Sequence, residues 1–321
     1  MIKLDKIDRK IIFELDQNAR MTDTALSKKV GRSREAVRYR IKQLQQRGIL
    51  TGFSTIVDLG KIGYQGYIIY LNLSGKSEQR DRFYDFLKSF DNLYWLGISE
   101  GSWDVGMIFF ARSNIEFHKI KQRIISKFSK NIIKKEIGLI IDTLVFPKGY
   151  ILPNTEKPVQ LFFDVKNEKI DSTDIKILNI LLNNARINVV DLAKRTKLTI
   201  DIVRGRMQKL KQKGIIVKYT VDIDYNVLDL QLFKVFLYFK ELPEFQEKKL
   251  IQYCNKSRQV LTYVRQITPW DAEIHVMTKT FKEFNQLIRE VKDEFADYLL
   301  DTESANVVEE HIYPAGKLLL P

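Results

Sequence analysis

Cysteine is almost missing: Cys254 is the only one in 321 residues. That excludes an internal disulfide and a cysteine-rich metal site. Histidine is nearly as scarce. His118, His275 and His311 are the three, and none stands at metal-ligand or Ser/His/Asp spacing. No apolar run approaches the roughly eighteen residues needed to cross a bilayer. The opening MIKLDKIDRK lacks the uninterrupted apolar core of a signal peptide. No Gly-x-x-x-x-Gly-Lys loop or Gly-x-Gly-x-x-Gly fingerprint is present. These absences point to an intracellular, cytoplasmic chain with no membrane partner, no metal, no cofactor and no catalytic residue.

What is present is a large apolar fraction and a basic balance. Apolar residues make up 45%, including 19 Phe and 14 Tyr, and the formal net charge is +13. Such an excess favours anionic partners through the general field and through counterion release from phosphates.

The chain also repeats itself. RYRIKQLQQRGIL (Arg38 to Leu50) returns as RGRMQKLKQKGII (Arg204 to Ile216), with Arg38, Arg40 and Gly48 matching Arg204, Arg206 and Gly214. DRKIIFELDQNARMT lines up with DIKILNILLNNARIN, and NAR occurs in both. Trp103-Asp104 matches Trp270-Asp271, Glu116-Phe117 matches Glu283-Phe284, and Pro147 matches Pro314. The offset is 166 early and 167 later. A tandem duplication of two units of about 150 residues accounts for that register.

Each half divides again. In residues 1–60 the apolar positions Ile7, Ile11, Ile12 and Leu15, then Ala25, Leu26 and Val30, then Val37, Ile41 and Leu44 have helical spacing. Thr22 or Asp23 caps the second helix and Ser33 the third, because each offers a side-chain oxygen to unpaired N–H groups. ILTGFSTIVD follows as a wing or connecting strand. Residues 170–226 repeat the pattern. The remainder of each half, 61–150 and 227–321, reads β-α-β-β-α-β, the ferredoxin-like split unit. Residues 151–169 form a linker in which VQLFFDV is apolar enough to be a packed strand. The expected fold class is α+β: two winged helix-turn-helix domains and two ferredoxin-like βαββαβ domains in tandem.

A recognition helix buries one face and shows a basic one. Val37, Ile41 and Leu44 make the inner stripe; Arg32, Ser33, Arg34, Arg38, Tyr39, Arg40 and Lys42 are the candidate contacts to double-stranded DNA. The leading residues of such a helix meet base edges and later ones meet phosphates. In the second copy Thr199, Arg204 and Arg206 are the candidates. Asp201 replaces Glu35, Gly205 replaces Tyr39, and Thr199-Ile200 stand where Ser33-Arg34 stood. Residues 1–60 and 166–226 each hold thirteen Lys and Arg against seven Asp and Glu. The second copy is therefore expected to meet phosphate, with base reading in question. The competing reading of both helices is a solvated basic surface.

This arrangement resembles the Lrp/AsnC, or feast/famine, family of transcriptional regulators. LDKIDRKIIFELDQNAR is similar to the family's opening helix, LSKKVGRSREAVRYRIKQLQQRGILTGFSTIVD to its helix-turn-helix and hinge strand, and residues 65–147 to its sensing domain. The resemblance implies a DNA-binding regulator that self-associates through its βαββαβ domains, here as a pseudo-dimer within one chain that can assemble further. It also implies an amino-acid effector held at a Gly-x-x-Asp turn. Here that turn is GSWD, with Gly101, Ser102 and Asp104 as candidate ligand residues. Asp104 either accepts from an ammonium or braces the turn. In the second half the place reads TPWD, and its proline removes an N–H donor.

Two alternatives stand beside this. One is a ligand-independent DNA-organising protein. The other is an enzyme: siroheme decarboxylases are similar to Lrp/AsnC proteins in architecture and rely on histidine and basic residues in that domain. NLYWLGISEGSWDVGMIFF (Asn92 to Phe110) contains neither.

Overall fold

The computed structural model describes residues 4–153, 157–162 and 165–313. Pro314 and the Phe163-Asp164 end of the expected linker strand lie outside them. The first half runs α1 (Lys6–Gln17), α2 (Asp23–Val30), α3 (Arg34–Gln46), β1 (Leu50–Val57), β2 (Gln65–Leu73), α4 (Ser77–Lys88), β3 (Leu93–Gly101), β4 (Val105–Ala111), α5 (Asn114–Phe128) and β5 (Ile132–Val145). A short strand, β6 (Val159–Leu161), precedes the second half. That half runs α6 (Ser172–Asn183), α7 (Val189–Thr196), α8 (Ile200–Gln212), β7 (Ile216–Ile223), β8 (Gln231–Phe239), α9 (Glu244–Lys256), β9 (Val260–Ile267), β10 (Ala272–Thr278), α10 (Phe281–Glu294) and β11 (Leu299–Ile312). Two winged helix-turn-helix elements and two βαββαβ units in tandem are the architecture.

Local chemistry sets the helix ends. Thr22 and Ser33 accept from the N–H groups of Ala25 and Ala36 at 3.2 Å each, satisfying donors that the first turn leaves unpaired. Gly31 ends α2 in the left-handed region at φ 73°, where glycine carries no Cβ penalty. Lys197 occupies the same place after α7 at φ 59°, so the second turn holds its shape at a steric cost of about 1–2 kcal/mol.

The two helix-turn-helix elements form one body. β1 and β7 pair antiparallel, Thr55 opposite Tyr219. Each first helix packs on the strand of the other half, α1 on β7 and α6 on β1. The repeated NAR lies at this seam. The Ala19 N–H donates to the Tyr219 carbonyl at 2.9 Å, and the Ala185 N–H to that of Phe53 at 2.8 Å. Arg20 reaches across to the carbonyls of Ala185 and Ile187 at 2.6 and 2.8 Å. Buried Asp16 accepts from Lys148, from Lys218 at 2.9 Å and from Thr220 at 2.7 Å. Burial pushes its carboxyl up, but the two ammonium groups more than reverse this and hold it well below the usual range.

The sheets of the two βαββαβ units share more than faces. The first is ordered β5-β2-β4-β3 and the second β11-β8-β10-β9. Their edges also hydrogen-bond: β3 to β11, with Gly101 opposite Ala305, and β5 to β9, with Thr143 opposite Val264. The pseudo-dimer within one chain expected from the family resemblance thus takes the form of a closed ring of eight strands. Closure removes the exposed sheet edges. Helices α4 and α5 cover one outer side and α9 and α10 the other. The inside is filled by Ile68, Tyr70, Trp103, Phe110, Phe236, Val264 and Trp270. The linker is not free chain. Ile151 is buried against the first helix-turn-helix, Arg9 donates to the Tyr150 and Ile151 carbonyls, and β6 extends the sheet beside β5.

Candidate DNA interface and barrel interior

Helix α3 presents the face expected of a reader. Val37, Ile41 and Leu44 are buried, while Arg32, Arg34, Arg38, Tyr39 and Lys42 are exposed. Tyr39 is 64% exposed, too much for a packing role. Arg38 Nε meets Asp23 of α2 at 2.5 Å. That carboxylate also accepts from Arg186 of the other half at 3.1 Å. Exposed pairs of this kind are worth ~0–1 kcal/mol, so Asp23 holds Arg38 only weakly.

Arg40 and Arg206 have partners within the protein. Arg40 Nη1 lies 2.6 Å from Asp5 and 2.8 Å from Asp8. Arg206 Nη1 lies 2.5 Å from Asp171 and 3.3 Å from Asp174. Each guanidinium ties its recognition helix to the N-terminus of the preceding first helix. Ser33 and Thr199 are likewise engaged as caps, Thr199 accepting from the Ile202 N–H at 3.3 Å. These four residues are two positions, Ser33/Thr199 and Arg40/Arg206, that recur at the 166-residue offset and serve the same local contacts in both copies.

The second recognition helix, α8, has a barer surface. Arg204 is exposed, with a long 3.9 Å approach to Asp201. Gly205 stands where Tyr39 projects, and nothing lies within 4 Å of where its Cβ would be. A helical glycine costs about 1 kcal/mol relative to alanine. Gly205→Ala is expected to raise stability by about 0.5–1 kcal/mol in urea denaturation. A loss of stability would show that the position packs against something inside the protein.

The Gly101–Asp104 turn is braced within the barrel, although the buried Trp103 Nε1 has no hydrogen-bond partner among the described residues. Gly101 has φ 120°, and a Cβ there would meet the Ser304 carbonyl oxygen at 2.5 Å. The Ser102 N–H donates to that same carbonyl at 3.0 Å. Asp104 Oδ2 accepts from the Leu73 N–H at 2.6 Å. In the second half Asp271 accepts from Phe239 N–H at 2.7 Å in the same way. Of the two roles open to Asp104, the bracing one is occupied.

The barrel interior holds a charged group that pattern reading passed over. Lys234 and Glu273 are 2% and 1% exposed. Glu273 Oε1 accepts from Tyr70 Oη at 2.8 Å, Lys234 Nζ at 2.9 Å and His275 Nε2 at 2.8 Å. Its Oε2 accepts from Gln266 at 2.6 Å. Lys234 Nζ also donates to Tyr70 Oη at 3.0 Å and sits 4.0 Å over the Trp95 ring. Burial pushes the Glu273 carboxyl up; Lys234 and His275 outweigh it, leaving the group well below its ordinary value. Burial and Lys234 both push His275 down, so its ring is neutral near pH 7. In the register of the repeat, Ile68, Gly106 and Ile108 stand in for Lys234, Glu273 and His275. The absence of histidine and basic residues noted between Asn92 and Phe110 therefore holds for those strands alone, since the facing half supplies both. The available signal was a lone charge in QLFKVFLYF and two polar residues two apart in AEIHVMT.

Comparison with known proteins completes the picture. The winged helix-turn-helix DNA-binding family matches residues 4–51 and 170–217. An HTH-type transcriptional regulator of Pyrococcus abyssi is 34% identical over 106 residues, which cover 32% of this chain and 69% of the relative. The chain belongs to the HTH-type transcriptional regulators. Within that family, the regulator LrpA of Pyrococcus horikoshii is 28% identical over 127 residues, 39% of this chain and 87% of its own. The winged helix-turn-helix plus sensing fold is related to the Lrp/AsnC superfamily and occurs here twice. For two other family members, from Pyrococcus abyssi and Pyrococcus horikoshii, both 43% identical, the match spans 41% and 37% of their length. The whole two-half arrangement has a structural counterpart in the siroheme decarboxylase NirDL: TM-score 0.68, 13% identity, 98% of this chain and 97% of that one. At that identity the shared property is the fold. Among the described residues no group of three or more His, Cys, Asp or Glu is placed to hold a metal ion, and no helix is long and apolar enough to cross a membrane.

Proposed function

We propose that this chain is a sequence-specific DNA-binding transcriptional regulator of the Lrp/AsnC type that carries both recognition helices of a dimer in one polypeptide. The observation that carries this reading is the face of α3: Arg32, Arg34, Arg38, Tyr39 and Lys42 lie outward over a buried Val37-Ile41-Leu44 stripe, beside a second helix-turn-helix joined through β1 and β7. Two such helices on one body suit two adjacent half-sites. Because the copies have diverged, the half-sites are unlike: α3 reads bases, and α8, with Gly205 and one outward arginine, contacts mainly backbone. The working units are 1–60, 61–150, 170–226 and 227–321, with 151–169 between them. The Gly101–Asp104 turn enters this reading as a brace of the barrel rather than as a receptor for an amino acid.

Selection from random duplexes tests it. One well-defined half-site beside a weak or different one is expected. Perfectly symmetric selected sites would refute the division of labour, and no enrichment would refute sequence-specific reading.

The enzymatic alternative draws on one observation, the Lys234-His275-Glu273 group inside the barrel. Lys234 and His275 both donate to Glu273, and Lys234 and Glu273 are sealed from solvent, which favours a structural part for the group. Incubation with siroheme, followed by product and absorption analysis, separates the two readings.

A further inference from the structure

We infer that a binding site for a small carboxylate- or phosphate-bearing anion lies where the linker meets the second βαββαβ unit. A cleft of about 660 Å3 is lined there by Tyr150, Lys256, Arg258, Thr278, Lys279 and Glu283, among others, a volume suited to a small molecule. Its rim carries three exposed cations. Among the described residues, Lys256, Arg258 and Lys279 have no side-chain hydrogen bond or ion pair. Elsewhere in the same unit Lys248, Lys249 and Arg265 are paired, with Glu244, with Glu294, and with Asp142 and Glu247, while Lys240, Lys282, Arg289 and Lys292 are unpaired among the described residues, like the three at the cleft, but do not line it. At the floor, Thr278 is 1% exposed and its Oγ1 has no hydrogen-bond partner. A buried hydroxyl left so keeps its desolvation penalty uncompensated, which an acceptor in the cleft recovers.

Two carboxylates, Glu283 and Glu290, also line the cleft and keep their charge against the three cations, but each already accepts a hydrogen bond from the protein. Glu283 accepts from the Lys279 N–H at 2.9 Å and Glu290 from Gln286 at 3.1 Å. The site is particular to the second half. In the register of the repeat, Ser89, Asp91 and Arg112 replace Lys256, Arg258 and Lys279. Arg112 is used there, stacked 4.3 Å from the Tyr64 ring centre and donating to the Ile62 carbonyl.

The cleft touches the DNA-binding body through direct contacts. Gly149 rides on the Arg258 backbone: a Cβ on it would lie 2.9 Å from the Arg258 Cα. Its neighbour Lys148 pairs with Asp16 of α1, and Tyr150 and Ile151 accept from Arg9 of α1. An anion drawing Arg258 inward bears on the segment that seats α1. This coupling rests on the DNA-binding reading; the site itself does not.

The experiment is calorimetric titration of the full chain with inorganic phosphate and, separately, with citrate, at matched ionic strength. Saturable binding of either anion is expected, the stronger of the two identifying the preferred source. Lys256→Gln/Arg258→Gln should weaken it at least tenfold and Thr278→Val several-fold, while Lys248→Gln/Lys249→Gln, with the same charge change, leaves it intact. No saturable binding by either anion, or equal loss in both double variants, overturns the site. If Lys256→Gln/Arg258→Gln lowers DNA affinity without any anion and reduces its salt dependence, these cations are a DNA contact and the site is overturned as well. An anion that binds without changing DNA affinity overturns only the coupling. Absence of DNA binding altogether overturns the regulator reading and leaves the site standing.

Discussion

Replacing Arg34 and Arg38 together with alanine is expected to weaken binding to the selected duplex by at least two orders of magnitude. An arginine that bridges guanine O6 and N7 is worth about 1–3 kcal/mol of discrimination, and each 1.4 kcal/mol is about tenfold in affinity. Both side chains are exposed on the leading half of α3, and Arg38 is held by a surface pair with Asp23. The loss should be several-fold smaller on random duplexes, where only the phosphate contribution remains. Arg204→Ala should weaken both kinds of DNA alike and lower the salt slope. Arg40→Ala is the contrasting control. Because Arg40 binds Asp5 and Asp8, its loss should lower the unfolding midpoint of the first helix-turn-helix before it alters sequence preference. Gel-shift titrations at two salt concentrations, with thermal melts, read all three variants. An equal loss on selected and random DNA for Arg34 and Arg38 would assign them to backbone contact alone.

Lys234→Met should destabilise the chain by about 3–5 kcal/mol, the range for removing one partner of a buried ion pair. The reason is the carboxylate left behind: Glu273 is sealed in the barrel, and Lys234 is its nearest full charge. Adding Glu273→Leu should recover most of that loss, since an apolar pair of similar size needs no desolvation. Urea denaturation of the two single variants and the double gives the coupling directly. Additive losses would show that the charges are stabilised by something other than each other.

The same group sets an acid limit. Glu273 and Asp16 have folded-state pKa values below their ordinary ones. Their stabilisation is therefore complete above the ordinary carboxylate range and is lost as pH falls below about 5, towards the folded-state values. His275, also depressed, acts in the same direction from nearer pH 6.5, because the unfolded chain takes up its proton first. The double variant should show a flatter acid limb than the wild type, with the Asp16 contribution remaining.

The helix-turn-helix elements were legible because their signals are local. The 3.6-residue spacing of Val37, Ile41 and Leu44, the caps at Thr22 and Ser33, and the turn at Gly31 all lie within a few residues of one another. The β-α-β-β-α-β order was legible for the same reason. The roles of Arg40 and Arg206 were not. On a helical wheel they look like further basic contacts, and only the packing of α1 and α6 places two carboxylates against each. NAR was visible as a repeat, but its purpose needed the crossing of α1 over β7.

By itself the sequence determined the duplication, the element order, the basic face of α3 and its erosion in α8. These follow from periodicity and residue identity, which short-range backbone chemistry turns into structure. Only the tertiary structure decided that the two sheets close through β3–β11 and β5–β9. Edge pairing is made by backbone groups that every residue carries, so it leaves no mark in the side-chain pattern. Only the tertiary structure, too, gathered Tyr70, Lys234, Gln266, Glu273 and His275 around one carboxylate. Tyr70 and Glu273 are 203 residues apart in the chain, and closure of the barrel brings them within a hydrogen bond.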